Sequence, residues 1–553
     1  MTNPLILVAE AELYVPASGA APGPLPHAAA PHAAISLAPR TLESTETLRV
    51  SDAGWRSAPG DAGGVIAYPA LLTGSLDIDR AIVLDPTAQG RTSAAWGQLR
   101  LRNEGGALDA TVATRNADAR PVNVWYGRRT LANDARQYLA DPTRAQLALI
   151  LSGLGAGWSV QDDEATLALR DPGYWLERQL TGATFTGAGG LNGTSDMAGQ
   201  RRPMVRGGTS GAPVKHITAR AVTTSLIYQV SDAAITVQAL YEGGDGAQIP
   251  FASNTTDLTS GSTPAGQYRT DIADGLYQLG SSPVRPITID ATGAFPSGAT
   301  ATTCGALARL FMVEDLALDV ALLDVPSFDA IDAAWSHPAG FFIDGADAVE
   351  PAAVVSLILA SANARLVPTR AGKLRAVMLR APTAATVPVA SFDPTTIIAC
   401  AAASPGAPLS PPPFRWRVGY ARTNTIVSSD LDPNVTAATR EALATEWRTA
   451  SSSNAAITAA YRRPSDPPIV PSVLLDATGA QALADVLRDL RCVQAGRRVY
   501  DVTLPLSLVL ARDLGDWVRL TYPLPGLRAG ALGQIVGETI RWEEGRATLS
   551  ILA

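Results

Sequence analysis

Cys304 and His337 are the two side chains whose types could make a covalent-catalytic pair. Cys304 lies near the start of the run TTCGALARLF, and His337 follows 33 residues later in SHPAGFFIDG. A thiol at a helix start is acidified by the helix dipole, and an imidazole in reach would take its proton. That chemistry would be a Cys/His peptidase. Against it, no second His follows, and a buried structural Cys is the commoner case. His27 and His32 stand in H-x4-H spacing with no third ligand near, so they read as a surface loop. Gly187 to Gly193 lacks the following helix with Lys-Ser/Thr that a phosphate loop needs. There is no H-E-x-x-H, no C-x-x-C and no G-x-S-x-G. The reading is therefore of a chain with no catalytic residues, no metal and no cofactor.

The acids are unevenly placed. Residues 299–361 hold nine (Glu314, Asp315, Asp319, Asp324, Asp329, Asp332, Asp344, Asp347, Glu350) against one base, Arg309. The segment carries −8, so the rest of the chain, whose total is −7, is near neutral. A glycosidase would need one acid of raised pKa and a partner across the sugar. Any acidic segment offers such pairs, and a solvated or lumen-facing surface is the simpler reading. Asp319, Asp324, Asp329 and Asp332 are the channel-facing candidates. A wall poor in Lys and Arg would let a polyanion slide, because there is little counterion release to hold it.

The elements around these residues are mostly strands. Glycine (48) and proline (40) are abundant among 553 residues, so turns are many and strands short. Residues 1–130 read as an N-terminal β domain, barrel or sandwich, with Asn103 to Gly106 as a hairpin-type turn. Residues 131–298 form a second β domain carrying a Gly-rich arm at 181–212. Within it, LIYQV (Leu226 to Val230) and ITVQALY (Ile235 to Tyr241) read as a hairpin joined by Ser231 to Ala234. His216, beside Lys215, leads a strand and reads as a surface residue. Residues 299–385 form an acidic α+β module of helix, helix and hairpin, with Pro351 in a first helical turn. Residues 386–474 mix strand and helix around a Pro-rich connector, 402–413, and Thr436 to Ala450 reads as one helix. Residues 475–553 begin with a helix, Leu475 to Gly496, and end in strands. The fold class is α+β, predominantly β and multidomain.

Composition excludes other classes. No basic patch appears, so stable nucleic-acid binding is not expected. No apolar run reaches the ~20 residues of a membrane span. Met1 to Glu10 lacks the basic start of a secretory leader. Three widely spaced cysteines suit a reducing cytoplasm.

Two blocks carry a resemblance. Residues 199–244, with Arg201-Arg202-Pro203, a Gly-Gly turn, strands and a closing Tyr-x-Gly-Gly, resemble baseplate hub (tail-tip) proteins of long-tailed bacteriophages and related prophage or gene-transfer-agent tails. The end of the chain, LGDWVRLTYP, GALGQIVGETIRW and RATLSILA, is similar to the barrel that closes hub domains. The resemblance implies β-barrel hub domains with a helical insertion, a homotrimeric ring, and location in the virion at the tail tip. It implies a distal tail protein ring, the tape-measure C-terminus, tip or fibre proteins and the host surface as partners. DNA would only pass through. Arg201, Arg202 and Pro203 are the interface candidates, since Arg pairs carboxylates bidentately. The alternatives are the Cys304/His337 peptidoglycan hydrolase and a receptor-binding module using loops 16–38 and 181–212.

Overall fold

A computed structural model describes residues 5–15, 44–73, 76–87, 93–131, 139–346, 349–403, 411–492, 498–542 and 544–553. His27, His32 and Asp347 lie outside the described residues. The fold is α+β and predominantly β, built from several curled sheets.

Near the N-terminus six antiparallel strands run in the order Thr45–Ser51, Leu5–Tyr14, Pro121–Arg128, Ala148–Gln161, Glu164–Arg170, Gln98–Arg102. The two edges are joined by residues 69–73. Leu72 N donates to Ser51 O (2.9 Å), and Arg102 N donates to Leu71 O (2.7 Å). That closes the sheet into a barrel and removes its open edges. Period-2 alternation fills it: Ala165, Leu167 and Leu169 of EATLALR are buried while their neighbours are not.

A second, curled sheet of eight strands lies towards the C-terminus, with Ala390–Phe392, Trp517–Leu520, Ala531–Arg541, Arg546–Leu552, Val499–Pro505 and Ala399–Ala403 in that order. Its long strand, Ala531–Arg541, pairs with Arg546–Leu552 along one edge and serves two neighbours along the other. The first part pairs with Trp517–Leu520, and Gly537 to Arg541 pair with Asp77–Ala81 from the other end of the chain. One core is therefore shared: Leu7, Val124 and Leu167 belong to the same buried cluster as Val502, Ile540 and Ile551.

Arg80 sits on the joining strand with no exposed surface. Its Nε donates to Glu538 Oε2 (3.0 Å), its Nη1 to the Pro368 carbonyl (2.8 Å), and Nη2 lies 2.9 Å from Asp513 Oδ1. Arg370 approaches the other Glu538 oxygen at 3.1 Å. Burial opposes the Arg80 charge, but the Glu538 and Asp513 carboxylates outweigh it and its pKa is raised.

The middle of the chain forms two five-stranded sheets and a helical layer. One sheet holds Val214–Ile217, Ile287–Gly293, Met204–Gly207 and Gly340–Ile343, with Ile235–Glu242 also on Ile287–Gly293. The other runs Arg220–Ala221, Ile227–Gln229, Leu276–Leu279, Tyr268–Asp271, Phe251–Asn254. Helices Cys304–Leu310, Val325–Ala334, Pro351–Ala360 and Ala477–Arg491 share a second buried cluster. Pro351 stands in the first turn, where its missing N–H costs nothing. Asp476 caps the last helix by accepting from Gly479 N (3.0 Å), and Ala480, Leu483, Ala484 and Leu487 form its buried stripe.

Three local expectations are corrected. The strands around Ser231 to Ala234 are not a hairpin, since each pairs in a different sheet. Val230 N donates to Gly275 O (2.9 Å) and Ile235 N to Ile272 O (2.9 Å), so the chain follows the 272–275 turn across to the next sheet. Gly275 has φ +65°, and a Cβ there would lie 2.3 Å from the Ser231 carbonyl. The helix expected over 436–450 stops at Leu443, and Arg448–Ser453 pairs as a strand with Arg415–Tyr420. Residues 103–106 do not close a hairpin: Asn103 Oδ1 accepts from Leu108 N (2.7 Å) and leads into helix Asp109–Thr114. The hairpin of Ala364–Pro368 with Leu374–Met378 forms as read.

Candidate functional site

The most heavily tied polar site is built on Arg206. It lies on Met204–Gly207, all four residues of which are buried. Helix Cys304–Leu310 widens into a π-helical turn, Phe311–Asp315, whose last residue faces that strand. Arg206 Nε donates to Asp315 Oδ2 (3.1 Å) and Nη2 to Asp315 Oδ1 (2.8 Å), a two-pronged pair. Nη2 also donates to Asp232 Oδ1 (2.8 Å). Nη1 lies 3.3 Å from Ser231 Oγ, which receives the Val205 N–H at 3.1 Å. Burial opposes the guanidinium charge, yet the carboxylates of Asp315 and Asp232 hold its pKa up. Thr181 N donates to the Asp315 carbonyl (2.8 Å), so the start of the Gly-rich arm is tied to the same point. The geometry is that of a clamp between a strand, a sheet crossover, a helix end and an arm. Every charge in it is paired, which suits holding rather than proton transfer.

The interface candidates face their own chain. Pro203 is buried and its carbonyl accepts from Asp232 N (2.8 Å). Arg202 lies over the Phe185 ring at 5.3 Å and donates to Gln229 Oε1 (3.3 Å). Arg201 is half-buried, and burial lowers its pKa against the pull of Asp232. Phe185 and Met197 of the arm pack with Val222, Ile227, Leu258 and Leu276. The arm is thus folded onto the second five-stranded sheet.

Cys304 is fully buried, and burial, reinforced by Asp332, pushes its thiol pKa well up. His337 stacks edge-on against Trp335 at 4.9 Å. No hydrogen bond joins Cys304 to His337 among the described residues, and the dipole argument for a thiolate is outweighed by desolvation.

The four channel candidates separate into pairs. Asp332 accepts from Gly305 N (2.8 Å) at the start of the Cys304 helix, and burial raises its pKa. Asp324 lies 3.5 Å from Arg375 Nε. Asp319 and Asp329 are exposed, and Asp319 accepts from Ala321 N (2.9 Å). Other acids of this segment also cap backbone: Glu314 accepts from Ser297 N (2.9 Å) and Asp344 from Ala346 N (2.7 Å). Much of the charge excess is consumed locally.

His216 is not a surface residue: it has no exposed area and sits at φ +49° in the left-handed region. Asp290 Oδ1 accepts its backbone N–H (2.9 Å), and its Nε2 is 3.5 Å from Asp245 Oδ1. Burial lowers its pKa, against the pull of Asp290 and Asp245 and with the push of Lys215 and Arg448. Burial and the same two carboxylates push the Tyr241 hydroxyl up to about 12.

Arg206, Asp232 and Asp315 were not singled out by sequence reasoning. The available signal was a single Arg inside an apolar strand between Pro203 and Gly207-Gly208, which demands a buried counter-charge. Among the described residues no group of three or more His, Cys, Asp or Glu is placed to hold a metal ion. No described helix is long and apolar enough to cross a membrane.

The chain matches no known family, and no curated protein matches it. Among solved structures it is similar to the 43 kDa tail protein of prophage MuSo2 from Shewanella oneidensis. That match has 9% identity and a TM-score of 0.37, over 90% of this chain and 97% of that one. It is also similar to a chain in the virion of a native gene transfer agent particle. There the identity is 14% and the TM-score 0.18, over 52% of this chain and 79% of that one.

Proposed function

We propose that this chain is a structural component of a phage-type tail, acting as the baseplate hub. In this reading three copies form a ring at the tail tip. The ring joins the distal tail protein above to tip or fibre proteins below, receives the tape-measure C-terminus, and lets DNA pass. The observation that carries the reading is the C-terminal sheet. The residues LGDWVRLTYP, GALGQIVGETIRW and RATLSILA resemble a hub-closing barrel in sequence, and they pair as three neighbouring antiparallel strands of one curled sheet. Support also comes from the strand Asp77–Ala81, which pairs with Gly537 to Arg541 and so ties the N-terminal part of the chain into that sheet. The exposed Asp319 and Asp329 are the residues this reading assigns to the lumen. Labelling the chain in assembled particles and imaging them tests the location. Label at the tail tip supports the hub; label on the tube, the head or nowhere in the particle rejects it. The hydrolase alternative is not favoured, because Cys304 is buried and not acidified.

A further inference from the structure

The strand Gly340–Ile343 stands at an edge of its sheet, next to Met204–Gly207. Its outer side starts to pair with residues 473–475 and then stops. Ala339 bridges Leu474, and Gly340 N donates to Val473 O (3.0 Å). The next bond does not form, because Ser361 Oγ takes the Val473 N–H (2.9 Å) and position 471 is proline, which has no N–H. Val470 is meanwhile drawn away to Arg417–Gly419 of another sheet. The two segments separate and enclose a cleft of about 560 Å³.

In an antiparallel ladder, alternate residues point their N–H and C=O to opposite sides. Gly340 N points to Val473, away from Met204–Gly207, so Phe342 presents both its N–H and its C=O to the cleft. No described residue hydrogen-bonds them there. Phe341 and Ile343 face the same apolar layer as Val354 and Leu357, which floor the cleft. At the far end Asp344 is exposed, while Glu446 on the opposite wall is already paired with Arg422 (2.9 Å).

We infer that this cleft accepts an extended segment of a partner protein as an added antiparallel strand. The residue opposite Phe342 exchanges two backbone hydrogen bonds with it. Its two flanking residues are apolar and lie over Val354 and Leu357. The residue one step further towards the segment's N-terminus is basic and meets Asp344. This is independent of where the chain assembles.

The probe is acetyl-Arg-Leu-Thr-Leu-amide, titrated against the full chain with calorimetry and tryptophan fluorescence as readouts, Trp447 being the tryptophan that lines the cleft. Saturable binding is expected. N-methylation at the Thr, which removes the donor facing Phe342, weakens it about tenfold. Replacing the peptide Arg by Glu weakens it several-fold, and Asp344→Asn removes most of that difference. Leu357→Trp, which fills the floor, abolishes binding. The N-methyl comparison uses the unaltered protein, so it stands even if that variant misfolds. Equal binding of the N-methyl peptide, equal binding of a small apolar molecule such as indole, or no binding at millimolar peptide would overturn the inference.

Discussion

Arg206 and Asp315, 109 residues apart in the chain, meet as a two-pronged ion pair at 3.1 and 2.8 Å with no exposed side-chain surface on either. Breaking one member strands a buried charge, whereas exchanging the set for apolar groups need not. Asp315→Ala is expected to cost about 3–5 kcal/mol. Arg206→Met, Asp232→Asn and Asp315→Leu together recover most of that loss. Urea denaturation followed by tryptophan fluorescence measures both. A single variant as stable as the parent would remove the clamp from the account.

The buried Arg80–Glu538 pair bonds the joining strand Asp77–Ala81 to the C-terminal sheet. Arg80→Met leaves Glu538 facing Arg370 alone and withdraws a charged partner from Asp513. Hydrogen exchange in Ala148–Gln161 and in Ala531–Arg541 should then rise together, since both strands bound the shared core. A rise confined to one of the two strands would show that the two sides of the core open separately.

Thiol reactivity separates structural cysteines from a nucleophile. Cys304 and Cys492 are buried and Cys400 is half-buried, with burial raising all three thiol pKa values. Native protein should react slowly with an aromatic disulfide reagent, Cys400 first, and fully only after unfolding. Cys304→Ala should cost about 1–2 kcal/mol for the small cavity and leave assembly unchanged. Rapid modification of Cys304 at neutral pH would revive the catalytic reading.

His216 predicts a pH dependence. Burial holds its folded pKa below the unfolded value, which is about 6.5. The unfolded state therefore takes up a proton first as pH falls, so stability is complete above pH ~6.5 and declines below it towards the folded pKa. Lys215, Arg448, Asp245, Asp290 and Tyr241 are the charged or titratable groups around the ring. His216→Gln should flatten the decline between pH 6.5 and 5 in melting experiments. An unchanged slope would assign the dependence to carboxylates.

Local pattern carried the elements better than their partners. Pro351 in a first helical turn and the hairpin turn at Thr369 to Gly372 announce themselves within a few residues, and both form as read. The crossover at 231–234 looks like a hairpin loop because its length and polarity are those of one. Its path is decided by Gly275 and Ile272, some forty residues on. The Trp447 ring packs on Gly419 and the 448–453 strand pairs with 415–420, which ends a run that propensity alone continues as helix. Arg206 inside its apolar strand signals a buried counter-charge, but the identity of its partners is silent for the same reason, since they lie 26 and 109 residues away.

The mass of the purified chain in solution tests the central claim most directly. Light scattering after size exclusion at micromolar concentration should give three times the chain mass, as a threefold hub requires. A monomer across that concentration range would contradict the hub.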